Sequence, residues 1–230
     1  MSDCYTGFDT GTFPGADRLA WLKANTRLSW CGFYLGPAPS HHDAGWMGQR
    51  KTLLAQGWGL APIYLGQQTA GPGSRNVSAQ QGGCDGEEAV RLADVAGFPR
   101  QSTIYLDWED GSRPSDTALA YISRWVAAVI ENGYQPGLYC SHVLAPLMAA
   151  SVTRSNPAAK LRIWVWKVST DQAHAYQGDI KTLASASPAG SGYPATLWQF
   201  EQNCVLPLPG ACQGLQVDLS WSALQDPSFS

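Results

Sequence analysis

The sequence predicts an α/β fold, a single (β/α) TIM-like barrel that becomes irregular in its C-terminal third. Short apolar runs rich in β-branched and aromatic residues recur along the chain. Stretches with helical periodicity lie between the first five of these runs. Strands that return through helices are normally parallel, as such a barrel requires. The length of 230 residues is the ordinary size of one barrel, so we expect residues 1–230 to form one domain.

Eight strands and at least four helices are predicted in order. The strands are residues 5–10, 28–35, 59–65, 103–108, 137–141, 163–168, 195–200 and 215–219. The helices are residues 14–24, 45–56, 85–96 and 115–132. The last helix has the clearest ends, with Ser115 as N-cap and Asn132-Gly133 as the stop. After the fifth strand the helical signal weakens, and only a Pro/Gly-rich segment joins the last two strands.

An open doubly wound sheet is the alternative architecture. No GxGxxG follows the first strand and no P-loop is present, so a nucleotide-binding version has little support. The Gly/Ser/Gln-rich stretch 67–86 is predicted to be a long surface loop after the third strand. Loops that follow barrel strands form the active-site face of this architecture.

Composition excludes several classes of partner. Charged residues make up 14% of the chain, below the roughly 25% of ordinary domains, which indicates a large buried core. A net charge of −3 without a Lys/Arg run argues against nucleic-acid binding. The N-terminus has neither the basic nor the apolar region of a Sec signal, and no long apolar run predicts a membrane span. We expect a soluble monomer.

The six cysteines show no CxxC spacing, and the four histidines show no spacing matched to the acidic residues, so no metal is expected. Cys204 and Cys212 bracket a Pro/Gly-rich loop that a disulfide could close. Two unrelated buried thiols are the alternative. If the bridge forms, the protein works in an oxidising compartment.

Asp107 and Glu109 form a candidate catalytic pair. They follow the buried run Ile104-Tyr105-Leu106 and point to the same face of the strand, with Cα atoms roughly 6.5–7 Å apart. Glycoside hydrolysis needs one protonated acid at the leaving oxygen and a second carboxylate that stays ionised. The alternatives are a salt bridge, a metal site, or a turn opened by Asp110-Gly111.

Two further acids are expected at the same rim. Asp9 is predicted at the end of the first strand and Asp218 at the end of the last, and these two strands become neighbours when the barrel closes. They should face Asp107 and Glu109 across the barrel mouth. Crowded carboxylates repel one another, which raises at least one pKa. The alternative for Asp9 is a helix or turn cap.

Aromatic and amide side chains near the strand ends suit a glycan. Sugar rings pack on aromatic planes, and sugar hydroxyls bind amides and phenols. The candidate substrate-binding residues are Tyr64, Tyr139, Trp166, Trp198 and Gln199. Core packing is the alternative for each aromatic residue.

These motifs resemble a known family. Gly7-Phe8-Asp9, Tyr105-Leu106-Asp107-Trp108-Glu109, Leu138-Tyr139-Cys140, Trp198-Gln199-Phe200 and Val217-Asp218 are similar, in this order, to the pattern of glycoside hydrolase family 25 muramidases. Gly7-Phe8-Asp9-Thr10 and Pro62-Ile63-Tyr64-Leu65-Gly66 resemble the related glycoside hydrolase-like domains of the Rv2525c-like group. The segment Trp164-Val165-Trp166-Lys167 departs from the muramidase pattern.

The resemblance implies a role for each acid. Glu109 would be the general acid/base, Asp107 would orient and stabilise the charged N-acetyl group of the substrate, and Asp9 and Asp218 would line the site. Cleavage would be substrate-assisted and retaining, without a cofactor. A glycan-binding module on a degenerate hydrolase fold is the alternative, and a metal-dependent hydrolase is a third.

The implied substrate, peptidoglycan, lies outside the cytoplasm. Since no Sec signal is visible, we expect specialised secretion, release by lysis, or removal of targeting segments. If the protein is a secreted effector, a cognate immunity protein is an expected partner.

Overall fold

The chain forms a closed barrel of eight strands, most of them parallel and alternating with helices. A computed structural model describes residues 4–183 and 186–229. The eight barrel strands are β1 (Tyr5–Asp9), β2 (Leu28–Tyr34), β3 (Gly59–Tyr64), β4 (Thr103–Asp107), β5 (Gln135–Ser141), β6 (Arg162–Trp166), β8 (Leu197–Val205) and β9 (Gln216–Ser222), and the short β7 (His174–Ala175) lies outside the closed ring. The predicted TIM-like barrel is confirmed.

The barrel closes through an antiparallel strand. β1 to β6 are parallel neighbours, β6 pairs in parallel with β8, and β9 lies antiparallel between β8 and β1. The short β7 pairs with the end of β8 and was not predicted. Among the described residues, a short 3₁₀-helix (Gly210–Cys212) but no α-helix separates β8 from β9, so the chain turns back on itself as a hairpin. The irregularity predicted for the C-terminal third is this change of direction.

Five α-helices follow the first five strands. They are α1 (Ala16–Asn25), α2 (Arg50–Ala55), α3 (Ala79–Ala96), α4 (Asp116–Glu131) and α5 (Ala145–Ser155). Ser115 caps α4 as predicted, since its hydroxyl accepts a hydrogen bond from the Ala118 amide. Ser78 caps α3 in the same way, so this helix starts well before residue 85 and shortens the predicted loop. The sequence analysis missed α5, and α2 is shorter than predicted.

The helices cover the outside of the barrel. In residues 4–183 and 186–229, none is both long and apolar enough to span a bilayer.

Two glycines of α3 allow this helix to pack closely against α4. A Cβ on Gly82 would lie 2.2 Å from the Tyr121 carbonyl oxygen, and one on Gly86 would lie 2.7 Å from Ala128 Cβ.

Aromatic side chains fill the barrel interior. The Trp164 ring meets Trp30, Tyr105 and Tyr139 edge-on, with centroids 5.4–5.7 Å apart. Gly7 makes room for Trp30, because a Cβ at residue 7 would lie 2.2 Å from that indole. This aromatic layer excludes water from the middle of the barrel.

The C-terminal segment closes the barrel end opposite the strand C-termini. The Tyr105 hydroxyl donates to the Pro227 carbonyl at 2.9 Å, and the Thr103 amide donates to the Ser228 carbonyl at 2.8 Å. Thr103 is the first residue of β4, so these contacts lie at the end where β4 begins. The opposite rim remains for a functional site.

The predicted disulfide between Cys204 and Cys212 is wrong. The Cys204 thiol donates to the Val217 carbonyl at 3.2 Å, and the Cys212 thiol lies 3.8 Å from the Arg18 carbonyl. The two buried thiols contact different parts of the chain. The inference of an oxidising compartment loses its basis.

Candidate active site

Four acidic residues meet at one rim of the barrel. Asp9 and Asp107 end β1 and β4, and Glu109 follows β4 directly. Asp218 lies near the start of β9, which corrects its predicted place at the end of the last strand. Because β9 is antiparallel, its start lies at the same rim as the ends of β1 and β4. In the ladder between β1 and β9, Asp9 is directly opposite Asp218.

The four acids share one small cavity of about 40 Å³, which has room for roughly three water molecules. Its lining residues are Asp9, Tyr34, Ile63, Asp107, Glu109, Tyr139, Trp164, Gln202 and Asp218. Trp164 belongs to the aromatic layer of the barrel interior, so the inner side of the acid cavity is apolar.

Asp9 and Asp107 are the buried acids, only 5% and 6% exposed. The Tyr34 hydroxyl donates to Asp9 Oδ1 at 2.8 Å, whereas Asp9 Oδ2 and Asp107 Oδ1 have no hydrogen-bond partner among the described residues. Burial raises the pKa of Asp9 well above its ordinary value, and Asp218 adds to this shift. Burial, followed by the charge of Glu109, likewise raises the pKa of Asp107. Both sites therefore favour a protonated carboxyl.

Asp218 and Glu109 are more accessible. Burial raises the pKa of Asp218 to about 6, although a hydrogen bond from the Asn203 amide at 2.6 Å opposes the shift. Gln199 Nε2 lies 3.3 Å from the other oxygen of Asp218. Glu109 is exposed at the rim, yet partial shielding of its carboxyl from water raises its pKa.

A groove of about 450 Å³ extends from Glu109 and carries aromatic side chains. It is lined by Glu109, Tyr139, Trp166, Val168, Ser169, Thr170, Asp171 and Gln202. Trp166 and Tyr139 supply the flat apolar faces on which a sugar ring packs. Glu109 thus lines both this groove and the acid cavity.

A second groove, of about 280 Å³, lies next to Asp9 and Asp218. It is lined by Asp9, Thr10, Gly11, Thr12, Tyr34, Asn203, Gln216, Val217 and Asp218. Hydroxyl, amide and backbone groups dominate this lining. The acid cavity therefore connects an aromatic groove to a polar groove, since each groove shares residues with it.

The structure places the five predicted substrate-binding residues in three environments. Tyr139 and Trp166 line the aromatic groove. Gln199 is 1% exposed and contacts Asp218 from within the barrel. Tyr64 is fully buried between β3 and the helices, where its hydroxyl donates to Glu88 at 2.8 Å. Trp198 packs against Trp221 with ring centroids 5.0 Å apart and does not line either groove.

Strand alternation explains why Tyr64 and Trp198 lie away from the acids. Successive side chains on a strand point to opposite faces. Ile63 lines the acid cavity, so Tyr64 faces the helices. Gln199 faces Asp218, so Trp198 faces outward. The structure therefore does not bring these two residues together with the acids and the grooves.

Four residues of the site were not predicted. Tyr34, Gln68 and Asn203 hydrogen-bond to the acids or their backbone, and Gln202 lines the acid cavity. Tyr34 ends a predicted strand next to β1, so strand order could have revealed it. Asn203 has φ 55° and lies in a bulge of β8, where the register with β9 shifts between Glu201 and Cys204. No sequence motif marks this bulge.

Gly32 provides the space that Asp9 occupies. A Cβ on Gly32 would lie 2.5 Å from Asp9 Cβ and 2.8 Å from Ile63 Cδ1. The position of Asp9 therefore depends on a glycine in the adjacent strand.

Metal-ligand geometry is not found near the acids. Within residues 4–183 and 186–229, no group of three or more His, Cys, Asp or Glu side chains could hold a metal ion. His174 instead pairs with Glu201, with Nε2 and Oε2 3.1 Å apart.

Comparison with known proteins links the chain to glycoside hydrolase-like domains. The profile of a family described as "Rv2525c-like, glycoside hydrolase-like domain" matches residues 20–202, a range that contains Asp107 and Glu109. No protein with a curated description matches the chain.

Solved structures share the fold at low identity. An uncharacterized B. stearothermophilus protein is 21% identical with a TM-score of 0.65, over 94% of each chain. The Mycobacterium tuberculosis Tat-secreted protein Rv2525c is 16% identical with a TM-score of 0.57, over 100% of this chain and 98% of that one. The bacterial lysozyme from Streptomyces coelicolor is 14% identical with a TM-score of 0.54, over 96% and 92%.

Proposed function

The chain belongs to the Rv2525c-like family of glycoside hydrolase-like domains, and from this premise we propose that it cleaves β-1,4 linkages of bacterial peptidoglycan as a muramidase. The fold is related to that of family 25 muramidases. Glu109 is the general acid/base of the proposed reaction, and Asp107 is its partner. Asp9 and Asp218 line the same site.

The position of Glu109 is the observation that carries the proposal. This residue is exposed and lines both the acid cavity and the aromatic groove. A sugar packed on Trp166 and Tyr139 would bring a glycosidic oxygen near Glu109. The raised pKa of Glu109 favours the protonated form that donates to a leaving oxygen.

Asp107 suits the partner role because it lies deeper in the same cavity. Its unpaired Oδ1 can accept a hydrogen bond from the N-acetyl amide of the substrate. Positive charge on this group lowers the pKa of a neighbouring carboxyl, so Asp107 gives up its proton to solvent water and its carboxylate stabilises the charge that develops in the transition state. Such stabilisation is strong because the cavity contains little water.

The structural neighbours support the choice of substrate. One of them is described as a bacterial lysozyme and another as a spore cortex lytic enzyme. On the proposed function the protein acts on the cell wall, in the periplasm or outside the cell. If it is a secreted effector, its partner in the producing cell is a cognate immunity protein.

A digest of purified peptidoglycan tests the proposal. The wild-type protein should clear the suspension and release reducing ends, and mass spectrometry should find N-acetylmuramic acid at the new ends. Glu109→Gln should abolish release while it leaves the fold intact. Absence of product from the wild type, or equal product from Glu109→Gln, would rule out the proposed reaction.

A glycan-binding module without catalysis is the second candidate. The cavity between the acids is about 40 Å³, much smaller than the aromatic groove of about 450 Å³. A glycan could therefore occupy the groove without reaching Asp107. Co-sedimentation of wild type with insoluble peptidoglycan, without any release of reducing ends, would favour this candidate.

A further inference from the structure

We propose that Gln68 is a positioning residue that fixes the direction of Glu109 by using its side-chain amide in place of a neighbouring strand. The inference rests on the proposed function of Glu109. Gln68 lies in the loop after β3 and is 1% exposed, although it contributes no group to the acid cavity.

The end of β4 has no strand beside it on one side. β3 ends at Tyr64, which pairs with Leu106, so the ladder between β3 and β4 stops there. On the other side the Trp108 amide still donates to the Tyr139 carbonyl of β5 at 3.0 Å. Backbone groups alternate sides along a strand, so the Asp107 carbonyl and the Glu109 amide face the missing partner.

The Gln68 amide meets both of these groups. Its Nε2 donates to the Asp107 carbonyl oxygen at 2.7 Å, and its Oε1 accepts from the Glu109 amide at 3.1 Å. A carboxamide carries a donor and an acceptor in one plane, as a peptide unit does. The side chain thereby continues the ladder for one further step, up to Glu109.

Gln68 is itself held at several points. The backbone amide of Gln68 donates to the Ser74 carbonyl at 2.9 Å. The preceding Gln67 amide donates to the Tyr121 hydroxyl at 2.9 Å, and this hydroxyl donates to Asp85 Oδ2 at 2.5 Å. The loop is therefore fixed to α3 and α4, and Gln68 transmits this rigidity to Glu109.

Gln68→Met removes both hydrogen bonds at similar side-chain volume. The backbone at Glu109 should then move toward solvent, and the pKa of its carboxyl should fall toward the ordinary value. Carbon-detected NMR of the labelled carboxyl, assigned with Glu109→Gln, measures this pKa without any activity assay. A failed peptidoglycan digest would therefore leave the test of Gln68 intact.

Gln67→Met is the matched control. Gln67 is also buried, but its Oε1 accepts from the Asn76 amide within the loop and does not contact β4. This variant should leave the Glu109 titration at its wild-type position. An unchanged Glu109 titration in folded Gln68→Met, or equal shifts in both variants, would overturn the proposal.

Amide exchange in the wild-type protein gives a second readout if Gln68→Met does not fold. The Glu109 amide should exchange slowly, because it is bonded to a buried acceptor. Exchange at the rate of an exposed loop amide would contradict the proposal. Where the wild type is active, Gln68→Met should lower kcat and shift the alkaline side of its pH profile to lower pH, because Glu109 must be protonated to donate, with a smaller effect on KM.

Discussion

Asp9 and Asp218 lie directly opposite each other in the antiparallel ladder between β1 and β9. Like charges at such positions repel and destabilise a sheet. Here burial and then the charge of Asp218 raise the pKa of Asp9, while burial and the charge of Glu109 raise the pKa of Asp218 to about 6. The two carboxyl groups therefore stay protonated to a higher pH than in the unfolded chain, and their ionisation lowers the stability of the folded protein.

The stability of the protein should fall as pH rises from about 4 to 6. The folded-state pKa of Asp218 is about 6, above an unfolded value near 3.9, so the folded protein binds more protons in this interval. The free energy of unfolding then decreases with pH, by about 3 kcal/mol from this residue alone. Asp9 and Asp107 shift in the same direction and extend the loss to higher pH.

Denaturant unfolding at several pH values measures this dependence. Asp218→Asn should weaken it and should make the protein more stable than wild type at pH 7. A wild-type stability that rises between pH 4 and 6 would contradict the assigned pKa shifts.

Asp107→Asn should lower peptidoglycan cleavage by a factor on the order of 10²–10⁴, the usual scale for the loss of one acid or base group. The amide keeps the shape of the side chain but cannot ionise to stabilise a developing charge. Rates of reducing-end release, measured beside Asp110→Asn, check this. Asp110 is next to Glu109 but does not line the acid cavity, so its variant should stay near wild type.

Gly32→Ala should destabilise the protein by about 1–3 kcal/mol, the usual cost of overpacking a core. The new methyl group would overlap Asp9 Cβ and Ile63 Cδ1. Gly83→Ala in α3 is the control, since its nearest neighbour would be Arg124 at 3.9 Å. Thermal unfolding should show a lower Tm for Gly32→Ala and an equal or higher Tm for Gly83→Ala. Equal losses in both would contradict the tight contact at Asp9.

Trp166→Ala should weaken glycan binding, and Trp198→Ala should not. Trp166 lines the aromatic groove beside Glu109, whereas Trp198 packs on Trp221 outside it. Loss of one aromatic contact should raise Kd about five- to tenfold, the equivalent of about 1 kcal/mol. Titration of each variant with a soluble peptidoglycan oligosaccharide measures this, and a larger effect at Trp198 would contradict the assigned groove.

Local sequence patterns predicted much of the barrel because burial and periodicity are local properties. The strands up to β6 and the capped helix α4 follow from apolar runs and from Ser115. β9 runs antiparallel because it forms a hairpin with β8 and closes the barrel against β1. Neither contact follows from the residues of β9 alone. This is why Asp218 reaches the predicted rim from the opposite end of its strand.

Only those site residues that lie at the ends of strands could be predicted from the sequence. Asp9, Asp107 and Glu109 end or follow strands, and their neighbours in the barrel follow from strand order. Tyr64 and Trp198 also lie near strand ends, but the alternation of strand faces places them away from the acids. Gln68 and Asn203 act through a loop and a bulge, whose conformations depend on tertiary contacts.

A structure of Glu109→Gln with a bound peptidoglycan oligosaccharide tests the central claim most directly. The account predicts a sugar packed on Trp166 and a glycosidic oxygen within hydrogen-bond distance, about 3 Å, of the residue 109 side chain. The N-acetyl group of the adjoining sugar should face Asp107. A well-defined oligosaccharide that occupies the groove with no linkage near residue 109 would contradict the assignment of this residue as the acid.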